Sequence, residues 1–363
     1  MENTPFFSEE TAMPFTTQQL ETGANYQLDY FLKNEPIDQV NHALPLYSAL
    51  MQRKKDTVGG NQYEVEQIRI GNSSSYQNYF GDEQVTYGKK DTVRQAKFPW
   101  ANFHDGFGVD EDTLAANGIT LTDNNADAVP SADEKVRLTD LMKENFETLK
   151  LGIQNAFARE LYQDGTQDAD AVAGLAAMIS LTPNTGTYGG INAATAAYWR
   201  NHASTNIATG TVGTLTKEME AIWRACGLRG GQYPTHIFCG SKFFDAYKAD
   251  ANAINARQIV VPQRGGITQD ASTTGLYFNG VEVVWDPTLD LLDEEAGTSG
   301  GERAKRAYFL NLNTIKLKPL KGHWMVRRKP PRVYDRYVHY WAMTSKYRFT
   351  CNKRNANAVL SIA

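Results

Sequence analysis

Residues 131–166 read SADEKVRLTDLMKENFETLKLGIQNAFARELYQDGT. Leu138, Met142, Phe146, Leu149, Ile153, Phe157 and Leu161 follow one another at steps of 4, 4, 3, 4, 4 and 4, which places them on one face of a helix. Ser131 and Glu134 have capping-box spacing, and Asp164-Gly165 ends the run. The stretch predicts a helix of about 32 residues, roughly 48 Å long at ~1.5 Å rise per residue and about three times the usual length. Its steps are not a strict heptad with paired flanking charges, so a free coiled coil is not expected. The helix must instead bury its stripe along a sheet or another helix.

Upstream, residues 57–98 alternate and are punctuated by glycine: NQYEVEQIRIG, SSSYQNYFGDEQVTYG, KKDTVRQAKF. This is a polar, hairpin-like excursion of about 40 residues, costly to leave unsupported. Tyr63 and Val65 fall on one parity and Ile68 and Ile70 on the other, so the strand carries a bulge or leaves part of each face exposed. The first 45 residues show no sustained period and read as an extended arm. Downstream, 168–201 is rich in Ala, Gly and Thr. A second amphipathic helix carries Leu215, Met219, Ile222, Trp223 and Cys226 and stops at Gly227. Then come the strand THIFCG, a short helix capped by Ser241, and GLYFNGVEVVW, a hairpin turning on Asn279-Gly280. Strands at RAYFLNL and TIKLKPL precede a long aromatic strand, DRYVHYWAMTSKYRFTCN. This order predicts an α+β fold rather than a parallel nucleotide-binding sheet.

The 363 residues carry a net charge of only −4, but it is unevenly spread. Residues 1–45 hold seven acids and one base, for −6; residues 303–354 hold fifteen bases and Asp335, for +14. Opposite charge on separated segments predicts complementary docking within or between chains. No apolar run approaches the roughly 18 residues of a membrane span, and the acidic start does not read as a secretory signal. Cys226, Cys239 and Cys351 lack CxxC spacing, arguing against a disulfide frame or structural zinc.

Enzyme chemistry is poorly represented. Gly297-Thr298-Ser299-Gly300-Gly301 has the letters of a hydrolase elbow, but no apolar strand feeds it. Gly88-Lys89 lacks the preceding glycine and following hydroxyl of a phosphate loop. No two of the six histidines stand at i, i+4. The acid runs Asp110-Glu111-Asp112 and Asp293-Glu294-Glu295 read as solvated loops. No catalytic residue, cofactor or metal is expected. Arg327, Arg328, Lys329, Arg332 and Arg336, interleaved with Trp324, Tyr334, Tyr337, Tyr340 and Trp341, also have the texture of a single-stranded nucleic-acid binder. The acidic net charge weighs against that alternative.

The order of elements resembles the major capsid proteins of tailed bacteriophages with the Hong Kong 97 fold. The likeness rests on AKFPWANFHDGFGVDEDTLAANG, which looks like the return from that family's extended loop, on the long helix, which looks like its spine helix, and on GLAAMISLTPNTGTYGGINAATAAYWRN. It implies an arm (1–50), an extended loop (51–99), a peripheral domain with the spine helix on an antiparallel sheet (100–166, closed by 321–354), an axial α+β domain (167–320) and a C-terminal tail (355–363). It further implies a virion shell built in the bacterial host cytoplasm from pentamers and hexamers of this chain, enclosing double-stranded DNA that it contacts nonspecifically. A separate scaffolding protein and a portal are the implied partners, with room for a cement protein and no membrane. An encapsulin-like compartment is the alternative of the same fold. Some relatives cross-link a loop lysine to a neighbour, but no motif carries that chemistry to Lys89 or Lys90. The charge pattern predicts intersubunit docking of acids on the arm (Glu9, Glu10) or loop (Glu64, Glu66, Asp82, Glu83, beside Lys89 and Lys90) against the closing bases Arg327, Arg328, Arg332 and Arg336.

Overall fold

The structure is a computed structural model that describes residues 42–59, 61–71, 74–116, 132–228, 231–258, 276–297, 300–330 and 338–363, with side chains of 132–141 and 254–258 left aside. Residues 1–41 of the expected arm, with Glu9 and Glu10, and Ser131, Ser299, Arg332 and Arg336 lie outside the described residues. Along the chain, helix Pro45–Gln52 precedes strands β1 (Glu64–Arg69), β2 (Val93–Phe98) and β3 (Ala101–Asp110). Helices Glu111–Ala116 and Ala132–Tyr162 follow. A small hairpin, β4 (Thr187–Tyr188) and β5 (Ile191–Asn192), leads to β6 (His202–Ile207), helix Thr214–Leu228, β7 (His236–Cys239) and helix Ser241–Gln258. Then come β8 (Leu276–Phe278), β9 (Val281–Trp285), helix Pro287–Glu295, β10 (Arg306–Leu310), β11 (Ile315–Pro319), β12 (Val326–Arg328), β13 (Val338–Cys351) and β14 (Ala358–Ile362).

Contacts divide the chain into two compact units, and the division falls inside the long helix, after Leu151, and inside β3 and β13. The helix itself has 31 residues. Leu149, Ile153, Phe157 and Leu161 of its expected stripe are buried, and Met142 and Phe146 are half-buried.

The larger unit is organised on a six-stranded sheet in the order β6-β14-β10-β7-β9-β8. Pairing is parallel for β14 with β6 and β7 with β9, and antiparallel for the others. Alternate residues of its central strands enter two different cores. Phe238, Tyr308, Leu310 and Val359 join one that holds Leu46, Leu50, Phe157, Leu161 and Tyr347. Ile237, Cys239, Ala307, Phe309, Ala358 and Leu360 join the other, under helix Thr214–Leu228. A strand covered on both faces reads as a continuous apolar run, and HIFC, RAYFL and AVLSI do. Residues 358–362, expected in a tail, are therefore a buried central strand. Residues 45–50, expected in the arm, likewise supply Leu46, Tyr47 and Leu50 to the core.

Local chemistry explains other features. Asn279 (φ 47°) and Gly280 (φ 82°) make the expected two-residue turn between Phe278 and Val281. Ser241 opens an 18-residue helix rather than a short one, and its N–H and Oγ–H donate to Asp290 instead of capping. Buried Asp286 caps helix Pro287–Glu295 through Thr288 N–H, and it also accepts from Tyr162 Oη (2.8 Å) and Leu46 N–H. The acid runs are not solvated loops. Glu111 and Asp112 begin a helix, while Asp293 is buried on the backbone N–H groups of Arg303 and Ala304 and Glu295 pairs with Arg159.

In the smaller unit, Val109 and Leu114 pack with Phe107 and Trp341. Phe107 stacks on Trp341 (5.7 Å, 21°) and meets Phe146 edge-on. Gly106 allows that approach, because a Cβ there would lie 2.7 Å from the Trp341 carbonyl oxygen.

Candidate assembly interface

The expected docking residues fall at three places. The first is the root of the long hairpin. β1 and β2 pair antiparallel from Glu64↔Phe98 to Arg69↔Val93 without a register shift, so there is no bulge: the face of Val65, Gln67, Arg69, Val93, Gln95 and Lys97 is exposed, and the opposite face turns inward. Ile68, Ala96 and Phe98 are buried, whereas Tyr63, Val65 and Val93 are exposed. Glu64 and Glu66 share the parity of Ile68 and therefore turn inward. They meet Lys318 of β11 and Arg348 of β13, which are register partners in their own ladder. Lys318 Nζ lies 2.7 Å from Glu64 Oε1 and 2.6 Å from Glu66 Oε1, and Arg348 Nη1 lies 3.0 Å from Glu64 Oε2. Arg348 Nη2 donates to Asn61 O at 2.7 Å, as does Trp100 Nε1 at 3.0 Å, and the guanidinium lies 3.5 Å from the Trp100 ring centroid.

The two cationic side chains are 9% and 1% exposed. Burial alone would raise the Glu64 carboxyl, but the Lys318 and Arg348 charges and hydrogen bonds outweigh it and hold it below the usual carboxylate value. Burial would lower Lys318, yet Glu64 and Glu66 together raise it above the usual lysine value. On the other edge of this hairpin, Lys97 N–H donates to Gly189 O at 2.9 Å. Gly189 has φ 61°, and a Cβ there would lie 3.0 Å from Ala96 Cβ. Glu64 and Glu66, expected to dock on bases of a neighbouring copy, are thus engaged within their own chain.

The second place is the distal loop. The ladder ends with Ile70 N–H on Thr92 O, and residues 74–92 form no strand. Asp82, Glu83, Lys89 and Lys90 are exposed there. So are the aromatics: Tyr76, Phe80 and Tyr87 are 85%, 87% and 93% exposed. The third is the basic segment in the smaller unit. Arg327 lies over the Phe146 ring at 4.6 Å and Lys329 Nζ over Trp341 at 5.8 Å; Arg328 and Lys329 are exposed. Lys318 and Arg348 were not singled out by sequence reasoning. The alternation in IKLKP and KYRFT places them on the sheet face opposite Ile315, Leu317, Tyr347 and Phe349, but it does not show that this face is covered or which acids they meet.

Among the described residues, no group of three or more His, Cys, Asp and Glu side chains gathers as metal ligands, and no helix is long and apolar enough to cross a membrane. No family model matches the chain, and no curated protein matches its sequence. Solved structures do. The chain is similar to the cyanophage A-1(L) capsid asymmetric unit over 91% of its own length and 96% of that chain (TM-score 0.58, 13% identity). It is similar to the capsid of Myoviridae phage XM1 over 92% and 97% (0.51, 11%) and to the cyanophage Pam1 capsid asymmetric unit over 100% of both chains (0.51, 10%). The chain has the α+β fold of tailed-phage major capsid proteins, and the likeness at this identity is one of fold.

Proposed function

We propose that this chain is a structural shell subunit, the major capsid protein of a tailed bacteriophage, assembling through pentamers and hexamers into an icosahedral head around double-stranded DNA. The observation that carries the reading is the end-to-end likeness to the Pam1 capsid chain, joined by the higher TM-score of the A-1(L) match. The surface supports it: Tyr76, Tyr79, Phe80 and Tyr87 stand exposed on one loop, and exposed apolar groups gathered in one place mark a protein-contact surface. In this reading the loop (51–99) lies over a neighbouring copy, so that stability and assembly are linked. The role is structural rather than enzymatic and the place is the virion. Host-cytoplasmic assembly, a separate scaffolding protein, a portal and a cement protein belong to the same proposal.

Of the aromatics behind the single-stranded nucleic-acid alternative, Trp341 lies against Phe107 and Lys329 and Trp324 packs on Phe103, Phe157 and Tyr347, so these two are not free platforms for bases. Negative-stain imaging of the concentrated protein tests the proposal. Uniform shells or pentameric and hexameric rings are expected, with DNA inside particles taken from infected cells; a monodisperse monomer overturns the reading, and protein cargo without DNA turns it to an encapsulin-like compartment.

A further inference from the structure

We propose that Lys318 and Arg348 are positioning residues for the long loop: with Glu64 and Glu66 they form a charge clamp that fixes the direction in which residues 70–92 leave the larger unit, and so whether the loop reaches a second copy of this chain. The inference rests on the assembly reading above and adds residues to it. Four observations converge on it. Two acids and two bases balance within hydrogen-bond distance. The cations are held by the backbone ladder of β11 and β13, which belongs to the core and not to the loop. Arg348 also grips both sides of the hairpin's entry, through Asn61 O and the Trp100 ring. Beyond Ile70 and Thr92 the ladder stops, and among the described residues the hydrogen bonds farther out, such as Thr86 on Gln77, join the loop to itself.

Charge suits this task better than apolar packing would. In a two-stranded ribbon a one-residue slip exchanges the faces, and here it would bring Val65, in place of Glu64 and Glu66, against Lys318 and leave a buried cation unpaired. Such a loss is strongly destabilising, so the slipped arrangement is excluded. Lys97 N–H on Gly189 O fixes the opposite edge. A loop already pointed at its partner loses less entropy on docking than one that must first be ordered. The clamp therefore bears on assembly as well as on the local stability of the loop root.

The test compares Lys318→Met with Lys318→Arg in the full chain, read by amide hydrogen exchange and by imaging of assembled material. Lys318→Met is expected to speed exchange in 64–69 and 93–98 by about tenfold or more while 306–310 and 358–362 keep their protection, as for local opening, and to give open or irregular assemblies. Lys318→Arg is expected to restore both. Unchanged exchange in 64–69 and 93–98 overturns the clamp. Equal loss of protection in every strand assigns Lys318 a merely structural role and overturns it as well, as do wild-type shells despite faster exchange. Glu64→Gln/Glu66→Gln carries the same measurements should Lys318→Met fail to fold. Absence of shells from the wild type defeats the assembly reading, while the exchange data still decide whether the clamp exists.

Discussion

Glu64 and Lys318 are shifted in opposite directions by one contact, and this gives the loop root a pH window. A carboxylate held below its ordinary value contributes stability above the unfolded carboxyl range of about 4.3, and loses it as pH falls through its own lower pKa. A lysine held above its ordinary value contributes below about 10.4, and loses it as pH rises through its raised pKa. The urea midpoint of the wild type minus that of Glu64→Gln/Glu66→Gln should therefore be flat from about pH 5 to 10 and shrink beyond both ends; a difference independent of pH would show that the ions do not couple. Gly189 supports the same root from the other edge, and its neighbour provides a control. Gly189 and Gly190 both have positive φ, but only at Gly189 would a Cβ meet Ala96 and Phe98, with nothing within 4 Å at Gly190. Alanine at either position pays about 1–2 kcal/mol for the left-handed backbone. Gly189→Ala should lower the urea midpoint further than Gly190→Ala, and equal losses would mean that Ala96 and Phe98 yield freely.

The long helix derives its stability from one face. Phe157 touches Tyr47, Phe103, Trp324 and Tyr347 at centroid distances of 5.0 to 6.0 Å, whereas Leu151 is 39% exposed. Phe157→Ala should cost about 3–5 kcal/mol, and Leu151→Ala should stay within about 0.5 kcal/mol, both from chemical denaturation; similar values for the two would deny that the stripe is the packed face. That element was legible in the sequence because 3.6-residue periodicity over eight turns is a strong signal, and so was the Asn279-Gly280 hairpin, where two left-handed positions need those residue types. AVLSI at 358–362 was not legible as a central strand. It is short, it lacks alternation because both sheet faces are covered, and its partners β6 and β10 are set by contacts far away in sequence. The clamp was half legible. Glu64 and Glu66 stood out as charges, but their partners lie about 250 to 285 residues later, and local patterning carries no information across that separation.

At the scale of the whole molecule, the contrast between −6 and +14 offers fewer free docking groups than the sequence suggests, because several of the bases are already engaged within the chain. Lys318 and Arg348 hold the loop acids, Arg327 and Lys329 lie over aromatic rings, and buried Arg354 donates from Nε to Met178 O at 2.7 Å. Reversing Arg327 would thus disturb packing on Phe146 as well as any docking, and charge reversal there cannot isolate assembly. Excision of the distal loop can. Residues 74–91 take no part in the strand ladders, and their aromatics are exposed, so the folded chain gains little from them. Replacing residues 72–90 with Asn-Gly keeps the ladder through Ile70 and Thr92 and closes it with a favourable turn. The shortened chain should unfold at an unchanged urea midpoint and sediment as a monomer or small ring under conditions in which the full chain forms shells. Closed shells from it would remove the loop from the assembly mechanism, and a large fall in midpoint would show that the loop packs on its own chain after all.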